Sequence, residues 1–524
     1  MEGERHRHDA GVVTAGSADL EVRAPGRAVT RTRTMAEARY HPAMRTTIGL
    51  IALLVVTGGC ASTSPEPTSV SGPPNIVFIL ADDMGYGDPG CFNPESKVAT
   101  PHIDRLARQG MRFTDAHAPG AYCIPSRYGL ITGRYPMRTK FAVRRRASIA
   151  KGQPTIASVL KRRGYGTSMV GKWHLGFDGG PDFDWSQAMG GGPVDVGFDS
   201  YFGIPASLDI PPYYYIRDRH PVAPPTGRIA ARNTPGWTNI QGEFWREGGL
   251  ADGFVHREVM PRFTSEATAY IDRQAAKADR TPFFLYVALA APHTPWLPVK
   301  EFAGKSDVDL YGDFVMQTDA TVGKILAALD RNDLAKDTLV IFTSDNGPVW
   351  YPQDVKKFGH RSVAHLRGMK SDSWEGGHRM PFVARWPGRV AAGSSCNQTI
   401  CFTDMLATFA AIVGEPLPAA SVTDSVSVLP LLDGADRPVR DVTVLRLAAS
   451  VIRQGRWKLI NHLGSGGFSK PRRIKPSPGG PTGQLYDLEA DPGETTNLWS
   501  KEPAIVAKLK TLLDDARTAA KRRP

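Results

Sequence analysis

Cysteine is scarce: there are five in 524 residues, Cys60, Cys91, Cys123, Cys396 and Cys401. Their number and irregular spacing exclude a disulfide framework and a cysteine-built zinc module. Cys396 and Cys401 lie close enough in sequence to pair in an oxidising compartment; two free buried thiols fit them equally well. Long apolar runs are missing too. A membrane span takes about 20 consecutive apolar residues, and no stretch approaches that, which excludes a polytopic membrane protein. The composition is not extreme either. With 41% apolar and 22% charged residues, disorder throughout, collagen and a long coiled coil are excluded. Acid is in deficit, 52 Asp and Glu against 64 Lys and Arg, and residues 431–524 hold much of the imbalance, 17 basic against 10 acidic. Such a basic tail suits either an anionic polymer or plain solubility, and nucleic acid is not implied.

What is present begins with an address. Residues 1–43 are rich in Arg, His, Gly and Ala without apolar periodicity. Internal methionines occur at Met35 and Met44, and a start later than Met1 is expected; from Met44, Arg45 precedes an apolar run Ile48–Val56, then Thr57-Gly58-Gly59-Cys60 and a Ser/Thr/Pro spacer. Basic, apolar and small residues in that order form a cleaved export signal. The end of it resembles a bacterial lipobox, in which Cys60 would be lipidated, although Thr57 stands where Leu or Val is usual. The alternative is an ordinary signal cut near Gly59. The expected location is the periplasm or cell envelope of a bacterium, with membrane contact only through that lipid.

The length, roughly three times the ~150 residues of an average domain, predicts one large domain and a smaller one. Asn75–Leu80 reads as a buried strand that delivers Asp82 and Asp83 at its end. Thr100-Pro101 opens a helix by cap and first-turn proline, with Gly110 as its stop. The same grammar returns at Thr167–Val170 before Gly171-Lys172-Trp173-His174, at Phe283–Leu289 before Pro292-His293, and at Thr338–Phe342 before Asp345-Asn346. Helices are expected over Phe314–Leu329 and Phe402–Val413. The fold class is therefore α/β, a mostly parallel sheet covered by helices, with polar residues gathered outside the C-terminal strand ends. A Pro-rich stretch to Pro430 marks a boundary. Beyond it, strands at Ser450–Arg453 and Trp457–Ile460, a Gly/Ser/Pro-rich loop over Gly464–Gly483 and a helix from Pro503 form a small α+β subdomain. The expected division is extension, signal and tether over 1–74, catalytic domain over 75–430, and C-terminal subdomain over 431–524.

An acidic pair such as Asp82-Asp83 is often only a cap or a solvated face. A second pair after a buried strand, Asp345-Asn346, changes the reading: hard oxygen donors of this kind suit Ca²⁺ or Mg²⁺, and the sequence leaves the two open. Cys123-Ile124-Pro125-Ser126-Arg127, followed by Thr132-Gly133, matches the signature C-x-P-S-R-x-x-x-x-T-G. Gly171-Lys172-Trp173-His174-Leu175-Gly176, Ala291-Pro292-His293, Leu366-Arg367-Gly368-Met369-Lys370 with Trp374-Glu375-Gly376-Gly377, and the late run Gln484–Asn497 follow in order. In these motifs the chain resembles the type I sulfatases of the alkaline phosphatase superfamily from Asn75 to the C-terminal tail.

That resemblance implies an alkaline-phosphatase-like fold and hydrolysis of sulfate monoesters. It implies that a maturation enzyme oxidises Cys123 to formylglycine, reading Ser126 and Arg127, and that the hydrated aldehyde is the nucleophile. Asp82, Asp83, Asp345 and Asn346 match the metal ligands, one Ca²⁺ being expected with residue 123 completing the shell. Arg127 would steady residue 123; Lys172 and Lys370 would hold sulfate; His174 would be the base that regenerates the aldehyde; His293 would be the acid for the leaving group. The late motif is expected to be structural. A gem-diol suits the task, because a thiol would leave a thiosulfate with no easy exit. The expected substrate is a sulfated carbohydrate, galactose or N-acetylgalactosamine 6-sulfate being the narrowest guess. Gly197–Pro205, Ser207-Leu208-Asp209 and Tyr213-Tyr214-Tyr215 resemble the leaving-group loop, and the tyrosines either stack on a sugar or pack the loop. The rivals are a phosphomonoester or phosphonate monoester hydrolase of the same superfamily, and a non-catalytic binder of sulfated glycan.

Overall fold

The strands Asn75–Asp82, Phe283–Pro292 and Thr338–Ser344 are buried along their whole length. Successive side chains of a strand point to opposite faces, so a strand without an exposed position is covered on both sides, as in α/β layers. In this computed structural model the described residues are 72–139, 147–178, 183–417, 424–446 and 450–521. The export signal, Cys60 and Arg144-Arg145-Arg146 lie outside them. Among the described residues no helix is long and apolar enough to cross a membrane.

The central sheet runs Ser394–Cys396, Met111–His117, Arg379–Arg385, Thr338–Ser344, Asn75–Asp82, Phe283–Pro292, Gly166–Lys172, Ser200–Ile204 and two short edge strands, Ile216–Arg217 and His220–Pro221. Five neighbours from Thr338–Ser344 to Ser200–Ile204 are parallel, whereas Arg379–Arg385 runs against both of its neighbours. The mostly parallel sheet read from the sequence is thus present. The helices Pro101–Arg108, Val259–Ala275 and Asp309–Arg331 pack together on the sheet, and Cys123–Thr132, Ile156–Arg162 and Asp404–Ile412 form a second group. Phe409 of that group meets Phe78 and Phe284 edge-on at 6.4 and 5.9 Å between ring centres.

Local details refine the sequence reading. Pro101 does open the first helix, but the Thr100 side chain does not cap it. Its hydroxyl accepts from the Gly90 amide at 3.0 Å instead. Gly110 follows that helix because a Cβ there would lie 2.3 Å from the Ala384 carbonyl oxygen, so close packing on the sheet requires the glycine. Cys396 and Cys401 are free thiols. They sit opposite Phe113 and His117 of one strand, about 13 Å apart at the usual strand rise, far beyond disulfide reach.

After the Pro-rich stretch, Val442–Arg446, Ser450–Gln454, Trp457–Ile460 and Gln484–Asp487 form a four-stranded antiparallel sheet. One face, with Val444, Ile452, Leu459 and Leu485, buries Val506, Leu509 and Leu513 of the helix Pro503–Lys521. The other face, with Leu445, Val451, Ile460 and Tyr486, packs on Ala121 and Trp374. The small sheet therefore backs the segments that carry Cys123 and Lys370.

Candidate active site

Register brings the motifs together. Asn75–Asp82 lies between Thr338–Ser344 and Phe283–Pro292, with Ala81 opposite Ser344 and Asp82 opposite Pro292. Gly166–Lys172 is the next strand outward. Four adjacent parallel strands thus deliver Asp345-Asn346, Asp82-Asp83, His293 and Lys172-His174 from their C-terminal ends, the place where ligands bind open α/β sheets. Gly171 must be glycine: its φ is +120° and a Cβ would lie 1.8 Å from the Ala288 carbonyl oxygen. Asp83 and His174 take the left-handed backbone, φ 66° and 58°, costly for residues with a Cβ and a mark of sites that fix side-chain direction.

Cys123 is the first residue of the helix Cys123–Thr132, which Gly133 closes at φ 65° by donating to the Gly129 carbonyl. The thiol therefore stands at the positive end of a helix, and Arg127, four residues on, lies on the same face one turn below. The Cys123 Sγ is 3.4 Å from Lys172 Nζ, 3.6 Å from Lys370 Nζ and 3.5 Å from Asp82 Oδ1. Burial, with Asp345 nearby, pushes the thiol's pKa up. An unmodified Cys123 is thus a neutral thiol, not an activated thiolate.

Each cation around it has a close carboxylate partner. Lys172 Nζ lies 2.5 Å from Asp82 Oδ2; Lys370 Nζ lies 2.5 and 2.7 Å from the two oxygens of Asp83; Arg127 Nε and Nη2 lie 2.9 and 2.8 Å from Asp345 Oδ2. Burial opposes ionisation of Asp82, but Lys172, His293 and Arg127 hold its carboxyl well below the usual range. Burial and the neighbouring Asp82 push Asp345 the other way. Asn346 Nδ2 donates to Asp83 Oδ1 at 2.6 Å, while its buried Oδ1 has no hydrogen-bond partner. An orphaned amide oxygen beside three buried carboxylates is a hard donor set, and it fits a divalent cation.

His293 Nδ1 donates to the Thr294 carbonyl at 2.5 Å, which turns Nε2 toward Asp83 Oδ2, 3.7 Å away. His174 is half-buried, and its buried Nδ1 has no hydrogen-bond partner. Burial, then Lys172 and Arg127, lower its pKa well below the usual histidine value, so it is neutral. A cavity of about 270 Å³ opens onto Asp83, Cys123, His174, His293 and Lys370, and its outer wall includes Ser207, Asp209, Arg246 and Phe468.

The catalytic and metal-binding residues expected from the sequence therefore lie together: Asp82, Asp83, Cys123, Arg127, Lys172, His174, His293, Asp345, Asn346 and Lys370. Of the loop expected on the leaving-group side, Ser207 and Asp209 line the cavity. The tyrosines do not. Tyr213, Tyr214 and Tyr215 are buried, Tyr213 against His256 and Tyr215 against Phe254, so they pack the loop. Lys161, Arg162 and Arg163 pair with Asp199 and Glu415 on an exposed face. Arg246 and Phe468 were not legible: each sits in a loop whose sequence has no periodicity to tie it to the site.

A second histidine cluster, His117, Glu375 and His378, lies behind the Lys370 segment. Its centre holds an ammonium: the wholly buried Lys458 Nζ is 2.9 Å from Glu375 Oε1, 3.1 Å from His378 Nε2 and 2.8 Å from Glu494 Oε1. Glu494 belongs to the late motif, and its Oε2 also accepts from the Glu375 amide at 2.6 Å. That motif thus clamps the Trp374–Gly377 turn.

Comparison with known proteins gives the same answer. The sequence model of the Sulfatase family matches residues 74–415. The chain is 33% identical to N-acetylgalactosamine-6-O-sulfatase of Bacteroides thetaiotaomicron, over 89% of this chain and 97% of that protein. It is 32% identical to human arylsulfatase A, over 85% and 88%. Among solved structures, one from Bacteroides thetaiotaomicron, described in connection with the metabolism of multiple glycosaminoglycans, superposes with a TM-score of 0.76 at 33% identity, covering 86% of this chain and all of that one. With its fold, its convergent strand ends and its relatives in agreement, the chain belongs to the sulfatase family and is a sulfatase.

Proposed function

We propose that this sulfatase removes sulfate from a carbohydrate, with residue 123 as its nucleophile after oxidation to formylglycine. The observation that carries the reading is the position of Cys123 Sγ, 3.4 and 3.6 Å from two buried ammonium groups at the floor of an open cavity. Once oxidised, residue 123 supplies a hydrated aldehyde as nucleophile, and a divalent cation, Ca²⁺ in this proposal, supplies Lewis-acid charge on Asp82, Asp83, Asp345 and Asn346.

The chain's own residues do the rest. Three carboxylates facing two lysines and one arginine leave the site close to neutral without a metal, so a bound divalent ion makes it attractive to a singly charged sulfate ester. Lys172 and Lys370, both buried, orient that ester and stabilise charge as it develops. Arg127 anchors Asp345 and donates to the Lys172 carbonyl at 3.0 Å, so it positions both. With its Nδ1–H held by the Thr294 carbonyl, His293 protonates the departing alkoxide from Nε2 as the doubly protonated imidazolium and is left with its proton on Nδ1. His174, kept neutral by its surroundings, can accept a proton within the same cavity.

A polyhydroxylated leaving group is supported by the outer wall. Ser207 Oγ and Asp209 Oδ1 are buried without hydrogen-bond partners, and Arg246 pairs with Asp209 beside them. Unmet acceptors and a fixed donor suit sugar hydroxyls. The relatives named for N-acetylgalactosamine 6-sulfate support a 6-sulfated hexose. The signal ending at Cys60 supports export as a bacterial lipoprotein, matured by a formylglycine-generating enzyme, and the Pro-rich stretch supports a boundary near residue 430. Rates on 4-nitrophenyl sulfate, 6-sulfated N-acetylgalactosamine and the corresponding phosphate esters test the reading. Sulfate esters are expected to be cleaved and phosphates poorly; preference for phosphate would refute it.

A further inference from the structure

The strands Trp457–Ile460 and Gln484–Asp487 are antiparallel neighbours with Ile460 opposite Gln484, ends that a two-residue turn could join. Instead 23 residues, 461–483, connect them without a helix or strand of their own. Connections of this length in a compact domain are usually functional.

This one is held firmly. Gly466 donates to the Arg472 carbonyl and Ser465 to the Pro471 carbonyl, folding the loop back on itself. Ser469 donates to Asp372 Oδ1 at 3.1 Å and Ser373 to the Ser465 carbonyl at 2.8 Å. Gly467 rides so close to Ser371 that a Cβ would lie 2.2 Å from its carbonyl carbon. The tip is thus fastened to the three residues after Lys370, and it presents Phe468, 36% exposed, in the cavity wall.

The loop is also uniformly basic. Lys470, Arg472, Arg473 and Lys475 follow Phe468, all exposed, and no Asp or Glu occurs from Asn461 to Tyr486. Among the described residues, none of these four side chains takes part in an ion pair. Four like charges in six residues repel one another, so their concentration in the loop that puts Phe468 into the cavity wall calls for an anion from outside. Resting on the reading of the substrate as a sulfated glycan, we propose that this loop is a second subsite. It binds a carboxylate or sulfate on the sugar adjoining the one whose ester is cleaved, so the substrate is an anionic oligomer in preference to a lone sulfated sugar.

The test compares kcat/KM on three disaccharides that share one 6-sulfated hexosamine, whose neighbouring sugar is a uronate, a sulfated hexose or a neutral hexose. The enzyme is expected to favour both anionic forms over the neutral one by about tenfold at low salt, the summed worth of a few exposed ion pairs. That ratio falls as salt rises. A preference confined to the uronate or to the sulfate names the group the loop reads. In the variant carrying Lys470→Gln, Arg472→Gln, Arg473→Gln and Lys475→Gln the ratio falls to near one. A ratio near one in the unaltered enzyme, or an unchanged ratio in the variant, overturns the proposal. Failure to cleave all three refutes the substrate reading instead, and calorimetric binding of the same disaccharides then decides the loop: equal affinity for the anionic and neutral forms overturns it. Binding of the loop to phosphatidylserine vesicles without discrimination among the disaccharides also overturns it.

Discussion

Lys458 is where the small sheet meets the catalytic segments, so replacing it with Met, close in shape but uncharged, isolates an electrostatic tie. In the native protein its ammonium lies between Glu375 and Glu494 in a wholly buried cluster. Burial opposes ionisation of Glu375, yet Lys458 and the adjacent histidines hold it well below the usual range; burial pushes Glu494 up to about 7. Removing one member of a buried ion pair costs about 3–5 kcal/mol, because the other charge is left without compensation. The loss must depend on pH. Unfolded, Glu494 releases its proton near pH 4.3 or so, about the value for a free glutamate; folded, it keeps it to about 7. Between those values the native state binds more protons, so stability falls as pH rises. Without Lys458 the folded pKa climbs further, and each unit adds about 1.4 kcal/mol to the loss at high pH. Urea unfolding followed by tryptophan fluorescence at pH 6 and 8 measures this. The Lys458→Met penalty should be about 3–5 kcal/mol at pH 8 and smaller at pH 6. A penalty under about 1 kcal/mol, the range of an exposed pair, or one equal at both pH values, would refute the reasoning.

Three further outcomes concern the chemistry. Lys172→Ala and Lys370→Ala should each lower kcat/KM on an aryl sulfate by about 10²–10³, the usual worth of one preorganised donor to developing charge. His293→Ala should lose about 10²–10⁴ on a sugar sulfate but little on 4-nitrophenyl sulfate, whose leaving group needs no acid; equal losses on both would remove His293 from that role. Treatment with a calcium chelator should abolish turnover and lower the thermal midpoint, both restored by Ca²⁺, whereas an unchanged midpoint would speak against a structural cation on Asp82, Asp83, Asp345 and Asn346.

Much of this site was legible because its residues follow buried strands. Apolar runs such as Asn75–Leu80 and Thr338–Phe342 announce themselves, and the polar residues after them had to lie at strand ends. Which strands are neighbours was not legible. Asp83 donates its amide to Asp345 Oδ1 across 262 residues of sequence, and only long-range register puts them together. Lys458 was also hidden: a lysine in a short strand reads as solvent-facing, and only partners far away, Glu375 and Glu494, make its burial tolerable. The tyrosine run looked equally suited to sugar stacking and to packing, and neighbouring rings, not its sequence, decided it. Loop residues such as Arg246 and Phe468 carry no periodic signal at all.

The most direct test of the central claim is the mass of the peptide containing residue 123, from protein made alongside an active maturation enzyme. The account predicts a mass about 18 Da below that of the cysteine form, the change from a thiol-bearing carbon to an aldehyde that supplies the nucleophile. An unmodified thiol in protein that still hydrolyses sulfate esters would contradict it.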